Sequence, residues 1–301
     1  MYDMIILGGG PAGLTATVYA LRKRLNVLLI TQDMGGKTNY RLQLPFVEKH
    51  LVITGEEVVS RFANEVDYLE YARAFDQAKK VEKLPQGFRV LTKSGKSHEA
   101  KCLIIATGAR GRKLNVPGED AFMMRGLCYS AVSYAPLFIE RDTVVIGDTA
   151  LAIRATAELA RIARKVTLVA PGDGELDSAM GRKVLAQSNV EVLKGYDVEA
   201  VLGDNYARTL VVSRDGERRE INADAFFVEL ELEPRSSLVA ELVKTDERGR
   251  IVIDSRNRTS VEGIFAAGDV TDVITEQVLI SVGEGAKAAL TAYEFLLEKS
   301  D

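Results

Sequence analysis

The stretch Gly8-Gly9-Gly10-Pro11-Ala12-Gly13 constrains this 301-residue chain more than any other. It stands between two apolar runs, Met4–Leu7 and Asn26–Ile30, with Leu14, Val18 and Leu21 at helical spacing between them. A strand, a tight turn, a helix through Arg24 and a second buried strand make a β–α–β unit of about thirty residues. Gly8, Gly10 and Gly13 match G-x-G-x-x-G in the context that gives the motif its meaning. The first glycine permits the turn, the second lets the backbone approach a pyrophosphate, and the third lets helix and strand pack closely. The helix N-terminus adds free N–H groups and a partial positive charge. A dinucleotide-binding domain is therefore expected at the start of the chain.

An acidic residue often ends the second strand of such a unit and holds the ribose hydroxyls. Here that strand ends Ile30-Thr31-Gln32-Asp33, so Thr31 or Gln32 is the candidate for the ribose. Two later stretches carry a related signal. Cys102–Gly108 is an apolar strand running into a small-residue turn, and Ile264–Val270 is a strand ending in Gly268-Asp269. A helix with apolar positions at Val278, Val282, Ala286, Leu290, Tyr293 and Leu297 follows.

A second β–α–β unit spans Thr143–Gly147, a helix marked by Leu151, Ala155, Leu159 and Ile162, and Lys165–Ala170. Its turn, Gly147-Asp148-Thr149-Ala150-Leu151-Ala152, keeps only the first and last positions of G-x-G-x-x-A. Thr149 puts a Cβ and a hydroxyl where a pyrophosphate would meet a bare Cα, and Asp148 adds a negative charge. The run Ala170–Leu176 after the next strand holds two acids, Asp173 and Glu175, and no Arg or Lys. Both features disfavour NADPH, whose 2′-phosphate needs a basic clamp. Further on, Val228–Pro234 alternates apolar and acidic residues and is expected to be a strand with one charged face.

GGGPAG at 8–13, GGK at 35–37, IIATGA at 104–109, VPGED at 116–120, AAGDV at 266–270 and EQVLISVGEGAKAA at 276–289 together resemble low-molecular-weight thioredoxin reductase over nearly the whole chain. The resemblance implies an α/β fold with two Rossmann-like dinucleotide-binding domains (three-layer ββα), the second inserted into the first. Residues 1–113 and 244–301 would form a discontinuous FAD domain, and 114–243 an NAD(P)-binding-like insert without a working NADPH site. The joints would fall at Arg112–Gly118 and Lys244–Arg250, both polar and glycine-containing. It also implies FAD contacts from Gly8, Gly10, Pro11, Ala12, Gly13, Thr31, Gln32, Gly35, Gly36, Lys37, Thr38, Ala106, Thr107, Gly108, Gly268, Asp269, Gln277 and Val278. Asp269 would bond the ribityl chain, Gly35 and Gly36 would pass the ring system, and the backbone at Gln277 and Val278 would meet the pyrimidine end. A homodimer is implied too.

In that family two redox cysteines fall within the segment that here reads GLCYSAVSY, residues 126–134, and Ser130 and Ser133 stand in their places. Dithiol exchange needs one sulfur to attack and another to resolve. Serine does neither, so thioredoxin-type exchange within this chain is excluded in that register. Cys128 is expected to be a packing residue.

The remaining composition narrows the partners. Net charge is −4 and the isoelectric point about 5.5, which gives no reason to expect nucleic acid or an anionic membrane. No basic leader or bilayer-length apolar run occurs, so a cytoplasmic protein is expected. Cys102 and Cys128 lie in no metal-ligand spacing, and His50 and His98 have no evident catalytic partner. Three readings remain. One is an FAD oxidoreductase whose donor is a small redox protein of ferredoxin or flavodoxin type, with Arg110, Arg112 and Lys113 as candidate landing residues. The second is a ferredoxin/flavodoxin–NADP reductase of the same fold. The third is a non-catalytic flavin-binding sensor or scaffold.

Overall fold

A computed structural model describes residues 1–40, 42–46, 55–130, 134–273 and 275–299. The chain divides into two compact units, one of Met1–Asn39, Val52–Arg110 and Glu233–Asp301, the other of Tyr40–Leu51 and Gly111–Leu232. The return to the first unit falls at Glu233 and not at Lys244. Val239 and Val243 bury their side chains in the first unit's core, and that apolar burial decides the boundary. The expected joint at 113/114 falls at Arg110/Gly111. Residues 40–51 belong with the second unit, where Leu44 and Phe46 join its core.

The first unit opens with β1 (Tyr2–Leu7), helix α1 (Pro11–Arg22) and β2 (Val27–Thr31). Helix α2 (Gly55–Tyr68), β3 (Arg73–Phe75), β4 (Ala78–Leu84), β5 (Gly87–Thr92) and β6 (Ser97–Ile105) follow. The sheet order is β3-β2-β1-β6-β5-β4, and the later strand Ile264–Ala266 pairs in parallel with the C-terminal half of β6. β1, β2 and β3 are parallel to one another and to β6, while β4, β5 and β6 form an antiparallel meander. Side chains alternate across a strand. Met4 and Ile6 face the layer of α1, α2 and the C-terminal helix Val278–Glu298, while Ile5 and Leu7 face Val81, Phe88 and Val90 of the meander. A fully buried side chain of this size contributes about 1.5–3 kcal/mol. Helix, parallel sheet and meander are thus three layers held by one short strand that is apolar on both faces.

The second unit repeats the plan. Strands β7 (Leu127–Cys128), β8 (Asp142–Ile146), β9 (Lys165–Ala170) and β10 (Val190–Lys194) precede the meander β11 (Asp197–Gly203), β12 (Ala207–Arg214) and β13 (Glu217–Asn222), and β14 (Ala225–Val228) ends it. The parallel order is β10-β9-β8-β14-β7. Helix α3 (Ala150–Ala160) joins β8 to β9, and α4 (Ala179–Leu185) lies between β9 and β10. Val145 faces the helices with Ala152, Ile153 and Leu159, whereas Val144 and Ile146 face Val201, Leu210 and Val212 of the meander.

The stretch 228–234 is not one strand with a charged face. β14 ends at Val228, residues 229–231 leave the ladder, and a short strand Leu232–Pro234 follows. Glu229 is only 7% exposed, because its N–H closes the ladder on Ile146 O and its backbone is drawn against the glycine turn below it. The C-terminal helix packs on α1. It buries the small-residue face Ser281, Gly285, Ala288, Ala292, with Leu296, where a Cβ on Gly285 would stand 2.1 Å from Ala12 O of α1. Leu279, Leu290 and Leu297 remain exposed, Leu279 at 68%.

Candidate functional site

The site is built where β1 ends. Gly8 has φ +109, and a Cβ there would come 2.3 Å from Ala106 O at the end of β6. A Cβ on Gly13 would meet Gly8 O at 1.8 Å. The protein's own backbone therefore requires both glycines. Gly10 is different: a Cβ placed on it would have no described atom within 4 Å. Gly10 is also the N-cap of α1, with no side chain bonded to the helix end and Pro11 in the first turn. An uncapped helix N-terminus beside a bare Cα is a ready seat for a diphosphate.

The other expected residues converge on this turn. Gly35 N–H donates to Gly9 O at 2.7 Å, and a Cβ on Gly36 would stand 3.1 Å from Gly10 Cα. Thr38 Oγ1 donates to Gly35 O at 2.8 Å. Ala106 Cβ stands 3.4 Å from where a Gly13 Cβ would be, and Thr107 Oγ1 donates to Arg235 O at 2.7 Å. Gly108, at φ +68, accepts Arg235 N–H at 2.9 Å. Gly268, at φ +75, lies against Ala12 and Ser281. Asp269 is ion-paired with Lys37 and accepts from Ser281 Oγ at 3.3 Å. The C-terminal helix starts at Val278 with Gln277 as an N-cap that makes no side-chain bond to it. The bare Gly10 beside the uncapped start of α1 fits the diphosphate of FAD, and Asp269, paired with Lys37, is a carboxylate suited to a polyol chain.

The two candidates for the ribose differ in exposure. Thr31 is buried and gives its hydroxyl proton to Asp33 O at 2.6 Å, while Gln32 is exposed. Asp33 organises this loop through its carboxylate, which accepts Gly36 N–H at 2.8 Å. Ser281, Asp33 and Gly285 were not among the expected residues. Only the recurrence of small residues in Ser281–Ala289 signals the last of them.

The second turn has the same frame. Gly147 has φ +144, and a Cβ there would stand 2.4 Å from Glu229 O. Thr149 does not project into open space. Its hydroxyl lies 3.0 Å from the carbonyl oxygens of Glu229 and Leu230, which share its proton, and accepts Ala152 N–H at 3.4 Å as the N-cap of α3. The acidic loop is served by a base from outside the run 170–176, since Lys194 of β10 pairs with Asp173 at 2.7 Å. The Glu119 carboxylate of the VPGED stretch is buried. It accepts Leu114 N–H and Asn115 N–H, each at 2.7 Å, and the Tyr129 hydroxyl.

Ser130 is half-buried just beyond β7, and Ser133 lies outside the described residues. Cys128 is fully buried in β7, and burial pushes its thiol well above the ordinary range. It is a packing residue with no accessible thiolate. Of the basic residues near the joint, Arg110 pairs with Glu233 at 2.7 Å and Lys113 with Asp120, so the cluster carries less free charge than its sequence suggests. Among the described residues no helix is long and apolar enough to cross a membrane, and no group of His, Cys, Asp or Glu could hold a metal ion.

The sequence model of the pyridine nucleotide-disulphide oxidoreductase family matches residues 2–285. The F subunit of Staphylococcus aureus alkyl hydroperoxide reductase is 35% identical over 303 residues, covering 98% of this chain. The chain spans 59% of that relative's length. Thioredoxin reductase from Streptococcus pyogenes has a similar structure, with a TM-score of 0.87, 31% identity and coverage of 99% of both chains. Thioredoxin reductase from Giardia duodenalis gives a TM-score of 0.86 and 27% identity, covering 98% of this chain and 99% of that one.

Proposed function

This chain belongs to the pyridine nucleotide-disulphide oxidoreductase family as a thioredoxin reductase-like flavoprotein, and we propose that it is an FAD-dependent oxidoreductase without an internal dithiol and without NADPH as its donor. The observation that carries the flavin assignment is the bare Cα of Gly10, beside the uncapped start of α1. When bound, FAD supplies the electron transfer, and the protein binds and orients it.

Gly8, Gly10, Pro11, Ala12 and Gly13 hold the diphosphate, with the α1 N–H groups and dipole directed at it. Gln32 takes the ribose, and Thr31 supports the loop behind it. Gly35, Gly36 and Thr38 shape the wall opposite Gly10, and Ala106, Thr107 and Gly108 close its base. Asp269 orients the ribityl chain, and Lys37 compensates its charge beside an anionic ligand. The N–H groups at Gln277 and Val278 favour negative charge at the pyrimidine end of the ring.

Ser130 and Ser133 in the dithiol positions remove disulfide exchange, and the buried Cys128 cannot replace it. The acceptor is then not a disulfide, and because Thr149 and the acidic loop 171–176 disfavour a pyridine nucleotide, a small redox protein of ferredoxin or flavodoxin type is the donor. The exposed stripe Leu279, Leu290 and Leu297 on the C-terminal helix supports a homodimer, since such a stripe is costly to leave in water. One observation favours a second reading, an NADP-linked reductase of the same fold: Lys194 brings an ammonium to the loop where a 2′-phosphate would bind. Its pairing with Asp173 weighs against that use.

The test is anaerobic mixing of the FAD-loaded protein with excess NADPH or NADH, following flavin absorbance near ~450 nm as the cofactor's own redox signal. The expected outcome is no rapid bleaching by either nucleotide, full bleaching by dithionite, and rapid bleaching by a reduced ferredoxin or flavodoxin. Rapid bleaching by NADPH would replace this reading with the NADP-linked one. Slow reduction by every physiological donor class would leave a non-catalytic flavin protein.

A further inference from the structure

The two glycine turns correspond almost bond for bond. Gly8 and Gly147 both take left-handed φ values and press against the carbonyl of a neighbouring strand end, Ala106 O and Glu229 O respectively. In both, the loop after the next strand donates one N–H back to the second position. Gly35 N reaches Gly9 O at 2.7 Å, and Glu175 N reaches Asp148 O at 2.7 Å. Even the second position is balanced. A Cβ on Gly9 would stand 2.3 Å from Asp33 O, so Gly9 is bare. Asp148 keeps its side chain because the facing loop is bare at Gly172 and Gly174, where a Cβ would stand 2.6 Å from Asp148 Oδ2 and 2.1 Å from Asp148 O. The acidic loop 171–176 is therefore the counterpart of loop 33–36, and its presence does not by itself close the second turn.

The difference lies at the third position. Gly10 leaves the start of α1 open, whereas the Thr149 hydroxyl takes the Ala152 N–H at the start of α3 and ties itself to Glu229 O and Leu230 O. The geometry points to Thr149 as the specificity-determining residue that keeps a dinucleotide diphosphate out of the second unit, by acting as its internal substitute. The side chain accepts the N–H that a phosphate oxygen would take and covers the Cα on which the phosphate would rest. This inference rests on the reading that pyridine nucleotide is not the donor. It adds that Thr149 makes the larger part of the exclusion, beside the charge of Asp148, and that this part is reversible. The ligand class readmitted would be an ADP-ribose diphosphate without a 2′-phosphate, because Asp173 holds Lys194 and Glu175 adds a further negative charge.

The experiment titrates the FAD-loaded full chain with ADP-ribose by calorimetry, for the wild type and for Thr149→Ser, Thr149→Ala and Thr149→Gly. FAD absorbance and a melting scan check that each variant is loaded and folded. Wild type and Thr149→Ser, which keeps the hydroxyl, are expected to show no saturable heat. Thr149→Gly should bind at least about tenfold more tightly than wild type, the scale of one regained charge-assisted hydrogen bond, and Thr149→Ala should fall between. If the glycine variant does not fold or load, the alanine variant carries the same comparison. Silence in the folded alanine and glycine variants would overturn the inference and leave the donor reading standing. An equal gain in Thr149→Ser would overturn the role of the hydroxyl. Saturable binding by the wild type would overturn the donor reading and the inference together.

Discussion

At Gly8–Gly13 and at Gly147–Ala152 the chain makes the same turn twice, and it preserves different things in each. In both, the first position faces a carbonyl at 2.3–2.4 Å from a would-be Cβ, and only glycine fits. The last position packs helix against turn, as Gly13 against Gly8 O and as Ala152, whose Cβ lies 3.1 Å from a would-be Cβ on Gly147. Those two positions answer to the fold, and the second unit keeps them. The third position is not set by packing, since nothing among the described residues crowds Gly10, and there the second unit carries Thr149. A motif of three small residues thus separates into two that hold the domain together and one that packing leaves free, which the proposed function assigns to a diphosphate.

This separation can be broken most severely at Gly13. Gly13→Ala places a carbon 1.8 Å from Gly8 O, and the backbone must shift. The expected cost is about 3 kcal/mol, read as a large fall in melting temperature together with loss of bound FAD. The mirror change, Ala152→Gly, should cost only about 1 kcal/mol, the penalty for glycine in a helix. Equal effects of the two would show that the turns do not differ in how tightly they are closed.

A smaller effect, and a sharper one, is expected from Gly10→Thr, which gives the first turn the third residue of the second. Gly10 has extended backbone angles that threonine adopts readily, and its Cβ direction is open. Stability should stay within about 1 kcal/mol, as for a neutral or favourable N-cap change. FAD affinity should fall by at least about tenfold, measured by flavin release on dilution. Unchanged affinity would mean that the diphosphate does not rest on Gly10.

The smallest test uses acid. β1 and β8 each begin beside an aspartate, Asp3 paired with Lys101 at 2.8 Å and Asp142 bonded by both arms of Arg164 at 2.9 and 2.7 Å. The Arg164 guanidinium holds the Asp142 carboxyl below the usual carboxylate range. A lowered folded-state value means the stabilisation is present above about pH 4, the unfolded value, and is lost as pH falls through the folded one. The pair is largely exposed, so Asp142→Asn should remove only a few tenths of a kcal/mol, about what a screened surface pair contributes. Urea melts of the variant and wild type should differ above about pH 4 and converge below it. A constant difference down to about pH 2 would show that the carboxylate charge is not what stabilises the start of β8.

Much of the frame was legible in the chain itself. Lys165–Ala170 is a strand with the expected bounds, and β1, α1, β2 and β8 differ from expectation by a few residues at their ends. Periodicity locates such elements because burial on one or two faces leaves a repeating mark. The exceptions are places where the neighbour decides. The alternation at 228–233 has strand character, yet the chain leaves the ladder at Glu229 and turns its carbonyl toward Gly147. The C-terminal helix has apolar residues along its length, yet Leu290 and Leu297 are exposed while Gly285 meets α1 at Ala12 O, an approach that only a small residue allows.

The same division runs through the site. Gly8, Gly10 and Gly13 could be named from spacing alone, since the required conformation and approach are local properties of a turn after a strand. Local sequence likewise marked Thr149 as the departure. What Thr149 does was decided by tertiary structure: its partners, Glu229 and Leu230, lie about eighty residues away in sequence and reach it only because β14 is laid beside β8. Lys37 with Asp269 and Lys194 with Asp173 are likewise contacts that only folding brings about. Residue type and spacing determine which conformations a segment tolerates. Which hydrogen bonds its polar atoms finally make depends on what the rest of the chain places within about 3 Å of them.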